Sequence, residues 1–273
     1  MRKFFLKSWL GISALCLIIL NPCFAAVDFD GTDDSFCLDN PSSSGLPTQH
    51  PLSITAWIYP DVITVGNIFA FGERNTDVDG VSTGYRLTLL TANEVRYTSL
   101  GVKDYSSTTF TTVTGEWQFV AVSIDSGDDA TLYHYRLSTD TWTSEAVTHT
   151  ADMNVPASTS DLMIGALHTT NSQVCSSLAG LFNGKIDDVQ VYNTNLSQTQ
   201  IEQIAESHIK GIDISPANRV INFLFDEQPD GDSFDGDIIK NRTGNSVNYN
   251  LTGSDGANNT GLTAKAEEVL SYP

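Results

Sequence analysis

From Leu52 to Tyr59 the chain alternates without a break, with Leu52, Ile54, Ala56 and Ile58 on one side and Ser53, Thr55, Trp57 and Tyr59 on the other. A period of two over eight residues predicts a β-strand, and Pro60-Asp61 ends it. β-rich runs recur at 26–29, 35–38, 67–72, 85–90, 94–100, 108–113, 117–125, 130–137, 141–148, 162–167 and 185–192. Clusters of Gly, Asp, Ser and Asn separate them, at the spacing of roughly eight to twelve residues that marks a sandwich. A helical pattern stands out after Ser197, which acts as N-cap, with Gln200 completing a capping box and Leu196 facing Ile201 as a hydrophobic staple. The helix is expected to stop near Gly211, with Lys210 in its last turn. One helix among so many strands excludes a parallel sheet, whose every pairing needs a long crossover. The expected fold is all-β: two antiparallel sheets packed face to face, with one short helix near 197–210.

The N-terminus changes the picture of where the chain works. Arg2, Lys3 and Lys7 precede an apolar run from Trp9 to Leu20, and Cys23-Phe24-Ala25 can serve as a cleavage site before Ala26. The run is shorter than the roughly twenty residues a membrane span requires, so residues 1–25 read as a secretory signal peptide, and the expected location is secreted or periplasmic. Without them the chain has 248 residues and carries 11 Lys+Arg against 33 Asp+Glu, a net of −22. Nucleic acid is excluded as a partner, because phosphate binding draws on clustered cations. No other segment approaches membrane-spanning length. Cys37 and Cys175 remain after processing, and an oxidising compartment makes a disulfide between them the expectation. The other reading is two small buried apolar residues.

Four stretches carry a family resemblance: Val27-Asp28-Phe29-Asp30-Gly31-Thr32-Asp33-Asp34, Pro51-Leu52-Ser53-Ile54-Thr55-Ala56-Trp57-Ile58, Gly115-Glu116-Trp117-Gln118-Phe119-Val120-Ala121-Val122 and Asn183-Gly184-Lys185-Ile186-Asp187-Asp188-Val189-Gln190-Val191-Tyr192. In order and spacing they resemble the laminin-G-like, concanavalin-A-like jelly-roll family. The later stretch Val220-Ile221-Asn222-Phe223-Leu224-Phe225-Asp226-Glu227 is similar to the segment with which many members begin. Its position here implies a circular permutation, with residues 219–251 completing one domain that spans 26–251. Residues 252–273, rich in Gly and Asn, are expected to form a loosely held tail.

Catalytic chemistry is sparse. The Glu-x-Asp-x-x-Glu motif of one glycoside hydrolase family on this fold is absent, and no Gly-x-Ser-x-Gly elbow accompanies His50, His134, His149, His168 or His208. The expectation is a non-enzyme, with a glycoside hydrolase as the third reading. Calcium suits acidic turns in a secreted chain. Three groups qualify: Asp28, Asp30, Asp33 and Asp34; Asp77 and Asp79; and Asp230, Asp232, Asp235 and Asp237. The resemblance implies a structural calcium where the Phe-Asp-Gly turn meets the Ile-Asp-Asp-Val strand, which points to Asp30 and Asp188. It also implies carbohydrate, or a cell-surface glycan, as partner. Sugar rings stack on aromatic faces while Asn, Asp and Arg bond the hydroxyls. The residues expected to do this are Trp142 and Tyr105, with Tyr97 and Tyr135, beside Arg74, Asn75, Asp77 and Arg86. Trp57 and Trp117 are expected to pack between the sheets. The alternative function is structural or adhesive, through contacts with other proteins.

Overall fold

The computed structural model describes residues 25–38, 45–73, 82–148, 152–156, 160–168, 178–207, 212–226, 232–233, 238–243, 251–254 and 263–266. Its strands are β1 (Ala25–Asp30), β2 (Ser35–Leu38), β3 (Leu52–Pro60), β4 (Gly66–Glu73), β5 (Thr83–Leu89), β6 (Val95–Ser99), β7 (Lys103–Ser106), β8 (Gln118–Ile124), β9 (Ala130–Arg136), β10 (Thr141–Val147), β11 (Asp161–Ile164), β12 (Leu167–His168), β13 (Leu178–Ala179), β14 (Asn183–Tyr192), β15 (Arg219–Phe223), β16 (Ile238–Ile239), β17 (Leu251–Ser254) and β18 (Thr263–Ala266). Helix α1 spans Gln198–Glu206. One sheet runs β10-β9-β8-β3-β14-β1-β18, with β15 also on β14, and the other runs β16-β17-β2-β11-β4-β5-β6-β7. Every pairing among the described residues is antiparallel, as the scarcity of helices requires.

The alternation read at 52–59 holds. Leu52, Ile54, Ala56 and Ile58 enter the core between the sheets with Val27, Phe29, Val120, Val122, Leu132, Phe69, Tyr85 and Leu162. The opposite face of β3 builds a second core. Trp57, Trp117, Phe119, Tyr133, Tyr135 and Tyr192 lie on the outside of the first sheet, covered by Leu196, Ile201, Ile204 and Ala205 from α1 and its approach. Trp57 and Trp117 are therefore buried beneath the helix and not between the sheets. An outer face so rich in aromatic surface must itself be covered, and the helix supplies the lid. Its start is fixed by the expected capping box, with Ser197 Oγ accepting from Gln200 N and the Gln200 side chain accepting from Ser197 N. It ends earlier than the sequence suggested, at Glu206 with Ser207 as C-cap; Lys210 lies outside the described residues.

Two further expectations change. Residues 108–113 are not a strand: the backbone and hydroxyl groups of Thr108 and Thr109 all donate to the Glu145 carboxylate, which ties this loop to β10. Residues 263–266, expected in a loose tail, form β18 beside β1, with Val27 opposite Ala264. The C-terminal segment otherwise divides between the sheets. β15 pairs with Val189–Tyr192 of β14, and β17 pairs with β2. β1 occupies the same flank of β14 at Asn183–Ile186, so β1 and β15 share one side of a single long strand.

Candidate functional site

The first sheet brings its chemistry to two opposite ends. Asp30 pairs with Asn183 and Pro60 with Gly184 at one end. Leu52 meets Ile124, Ala130 pairs with both Ile124 and Val147, and Tyr192 meets Ser53 at the other.

At the first end the chain turns from β1 into β2 through Asp30-Gly31-Thr32-Asp33-Asp34. Asp34 Oδ2 accepts from the Asp30 amide at 2.7 Å, Asp30 Oδ1 accepts from the Thr32 amide at 2.6 Å, and Asn183 Nδ2 donates to the Asp30 carbonyl at 2.6 Å. Gly31 has φ +76°, and a Cβ there would come within 2.7 Å of the Asn183 side chain, so only glycine fits. One carboxylate oxygen from each of Asp30, Asp33 and Asp34 lies within 4.8 Å of the others. Three hard oxygen donors on one turn fit calcium better than a soft metal.

Asp188 does not join them. Asp30 lies opposite Asn183, five residues from Asp188 along β14, which is about 17 Å at the rise of an extended strand. Asp188 sits instead in an irregularity of β14 with φ 42°, buried, and its two oxygens accept from Gln190 Nε2 at 3.0 and 3.1 Å. Gln190 Oε1 in turn accepts from the Tyr192 hydroxyl at 2.6 Å and from Arg219 at 3.2 Å, and Arg219 pairs with Asp213 at 2.6 Å. This network clamps β15 to β14. Asp28 also stands apart from the three, opposite Lys185 in the ladder. Of the other acidic groups, Asp77, Asp79, Asp230, Asp235 and Asp237 lie outside the described residues.

At the second end a cavity of about 220 Å³ opens, lined by Ser123, Asp125, Asp129, Ala130, Thr131, Tyr133, Ala146, Val147, Thr148, Asn195 and Leu196. Local hydrogen bonding fixes its walls. Asp125 Oδ1 accepts from the Gly127 and Asp129 amides at 2.8 and 3.1 Å, which closes the β8–β9 turn. Ser53 Oγ donates to the Thr194 carbonyl and accepts from the Leu196 amide, both at 2.9 Å, and Ser123 Oγ donates to the Leu196 carbonyl at 2.8 Å. These bonds hold 194–196 against the ends of β3 and β8. Tyr133, Val147 and Leu196 give the cavity apolar surface, while Asp125, Asp129, Thr131 and Asn195 give it polar groups. A second hollow of about 250 Å³ is lined by residues 45–51 and Asn193. His50, on its wall, reaches Asp128 in the same β8–β9 turn.

The aromatic residues named from the sequence are placed elsewhere. Trp142 is half-buried, stacked on Tyr135 at 4.8 Å between centroids, edge-on to Phe119 at 6.2 Å, and its indole N–H donates to Glu206 at 3.0 Å. It covers the second core at the end of α1 rather than presenting a ring to a sugar. Tyr105 and Tyr97 are fully buried between the sheets, and Tyr135 is buried beneath Trp142. The Tyr105 hydroxyl donates to the Asp128 carbonyl at 3.3 Å, and its pKa is pushed up to about 12 by burial, then by Asp128, Asp129 and Asp152. Arg86 donates to Asn67 Oδ1 at 3.3 Å. Arg74, Asn75 and Asp77 lie outside the described residues. Cys37 is buried, and Cys175 lies outside the described residues. The sequence reading missed Asp125, Asp129, Thr131 and Asn195, because they come from three separate strand ends. Their one visible signal was the acidic glycine turn Asp125-Ser126-Gly127-Asp128-Asp129.

Comparison with known proteins places this geometry. Among solved structures, the fold resembles a candidate carbohydrate binding protein from Bacteroides ovatus ATCC 8483, with 17% identity and a TM-score of 0.54 over 90% of this chain and 60% of that one. It is also similar to the heptameric SAP-like pentraxin of Limulus polyphemus (16% identity, TM-score 0.46, 68% of this chain and 83% of that one) and to the CBM40 of the Ruminococcus gnavus IT-sialidase (14%, 0.48, 66% and 95%). The chain thus spans three-fifths of the length of the Bacteroides protein, and likeness at these identities is one of fold. Among curated proteins, none matches. The model of the Laminin_G_3 family, described as the concanavalin A-like lectin/glucanases superfamily, matches residues 30–202. Because that match covers more than half of its length, and the two antiparallel sheets are in place, the chain belongs to this family.

Proposed function

We propose that the protein is a secreted, non-catalytic module that binds carbohydrate in the cavity between the β8–β9 turn, the end of β10 and residues 195–196. The observation that carries this reading is the composition of that cavity. Carboxylates of Asp125 and Asp129 accept from sugar hydroxyls, the Asn195 amide donates and accepts, and the apolar surface of Tyr133, Val147 and Leu196 suits the C–H face of a ring. Its size falls below the roughly 300 Å³ of sites for larger ligands, so it fits one sugar ring. Two lining carboxylates on a processed chain of net charge −22 favour a neutral sugar over an anionic one. Asp125 Oδ1 is spent on turn amides, which suits holding a ligand better than proton transfer. The adhesive alternative draws no support from the described residues.

A structural calcium is part of the same proposal. Asp30, Asp33 and Asp34 would hold it, and its charge would offset three carboxylates crowded at the β1–β2 corner. Since that corner lies at the far end of the sheet, calcium assists by stabilising the sandwich and not by touching the sugar. Arg74, Asn75 and Asp77 are kept as a second proposed contact, and Cys37 with Cys175 as the proposed disulfide.

A glycan array probed with the processed chain, with and without a calcium chelator, tests the reading. Binding of a neutral hexose is expected, weakened about 10-fold or more by Asn195→Ala and by Asp129→Ala, each of which removes one polar contact. No sugar bound in either condition would end the carbohydrate reading. Binding lost in Asp77→Ala but kept in Asn195→Ala and Asp129→Ala would move it to the other loop.

A further inference from the structure

Next to the proposed sugar cavity, three segments far apart in sequence bring together a group that neither the family nor the cavity accounts for. His50 precedes β3, Asp128 lies in the β8–β9 turn, and Asp152 follows β10. His50 Nδ1 lies 2.8 Å from Asp128 Oδ1 and 3.5 Å from Asp152 Oδ1, and one ligand atom from each residue falls within 4.8 Å of the others. The imidazole is 1% exposed, the Asp128 carboxylate 17% and the Asp152 carboxylate 51%, so the cluster is walled on the histidine side and open to water on the other.

We propose that His50 Nδ1, Asp128 and Asp152 form a binding site for a divalent transition metal of the zinc type. The donor set is one imidazole nitrogen and two carboxylates, which suits zinc, cobalt or nickel and does not suit calcium. Spacing agrees. Bonds of about 2.0–2.1 Å in a tetrahedron put ligand atoms about 3.4 Å apart. The His50–Asp152 separation already has this value, and the His50–Asp128 pair needs to open by about half an ångström to admit the ion. The fourth position would face solvent.

The second ring nitrogen supplies an observation independent of the carboxylates. His50 Nε2 lies 3.1 Å from the hydroxyl of Tyr97, a fully buried residue. An outer-shell oxygen of this kind fixes the ring plane, and by accepting from Nε2–H it would leave Nδ1 as the ligand atom once an ion replaces the proton that Nδ1 shares with Asp128. Asp152 is also held in place, since its Oδ1 accepts from the backbone amides of His50 at 3.2 Å and Met153 at 2.7 Å. Neither Asp128 nor Asp152 pairs with a lysine or arginine among the described residues. A cation bound there would join 45–51, the β8–β9 turn and 152–156 into one rigid rim.

Cobalt(II) titration of the chelator-treated processed chain tests the site, followed by visible absorption and by calorimetry. One equivalent is expected to bind with the absorption of a low-coordinate nitrogen–oxygen site, and zinc is expected to displace it. Asp152→Asn keeps an oxygen acceptor for the two backbone amides and is expected to weaken cobalt binding at least 10-fold, with unchanged melting of the metal-free protein. Asp30→Asn, at the other end of the sheet, is expected to leave cobalt binding intact. No cobalt binding, equal affinity in Asp152→Asn, or loss confined to Asp30→Asn would each overturn the assignment. Because none of these readouts involves sugar, the outcome is independent of the carbohydrate proposal.

Discussion

The buried histidine on β9 allows a quantitative forecast. His134 is 2% exposed, its ring 5.4 Å from that of Phe110, and its Nε2 lies 2.9 Å from Gln118 Oε1. The Gln118 amide is oriented by Val113, whose carbonyl accepts from Nε2 at 2.7 Å and whose N–H donates to Oε1 at 3.1 Å. His134 therefore donates from Nε2 and is complete as a neutral ring. Burial lowers its pKa from 6.5 to about 4; Arg136 acts in the same direction and Glu116 against it. A depressed histidine pKa means that the unfolded chain takes up the proton first as pH falls. The neutral ring costs nothing above pH 6.5, and stability is lost as pH drops from 6.5 toward 4. The full window amounts to about 3 kcal/mol, of which about 2 kcal/mol falls between pH 7 and pH 5. Urea unfolding of the wild type and of His134→Gln, which cannot titrate, isolates this from the carboxylates. The stability difference between them is expected to shift by about 2 kcal/mol against the wild type between pH 7 and pH 5. A difference that stays constant with pH would show that His134 is not held neutral by its surroundings.

Other consequences are as direct. Asp33→Asn is expected to reduce the calcium-dependent rise in melting temperature, while Asp188→Asn, which disturbs the β14–β15 clamp, leaves calcium affinity unchanged; a calcium response lost with Asp188 would return that residue to the ligand set. Trp142→Ala should cost about 2 kcal/mol through its lost stack and burial and leave sugar affinity unaltered, as denaturation and array binding would report. Peptide mapping without reductant should recover Cys37 joined to Cys175, and a bridge closing so long a loop contributes about 5 kcal/mol in the chain-entropy account. Recovery of both as free thiols would remove it.

How much of this was legible in the sequence depended on how local the cause was. The faces of β3 followed from its own alternation, and the start of α1 from three side chains within one turn of each other. Trp57 and Trp117 were read correctly as buried but assigned to the wrong core, since a period of two gives two faces and does not say which is covered by a helix. Thr108–Val113 has strand composition, yet the amides of Thr108 and Thr109 are taken by Glu145, 37 and 36 residues away, and that of Val113 by the Gln118 side chain. Asp30 and Asp188 belong to paired strands, but register decides which residues meet, and Asp30 lies opposite Asn183. The cavity and the His50 cluster were hidden for the same reason: the residues converge only after β8, β9, β10 and β14 have paired, and His50 is 102 residues from Asp152.

Sugar is proposed to enter at the β8–β9 end of the sandwich. Backbone amide shifts, followed by NMR while the best array hexose is titrated into the isotopically labelled processed chain, locate the ligand residue by residue. Perturbations centred on 123–131, 146–148 and 195–196 are the predicted result. Shifts centred on the outer face of β4–β7 or on the β1–β2 turn, with 123–131 silent, would contradict it.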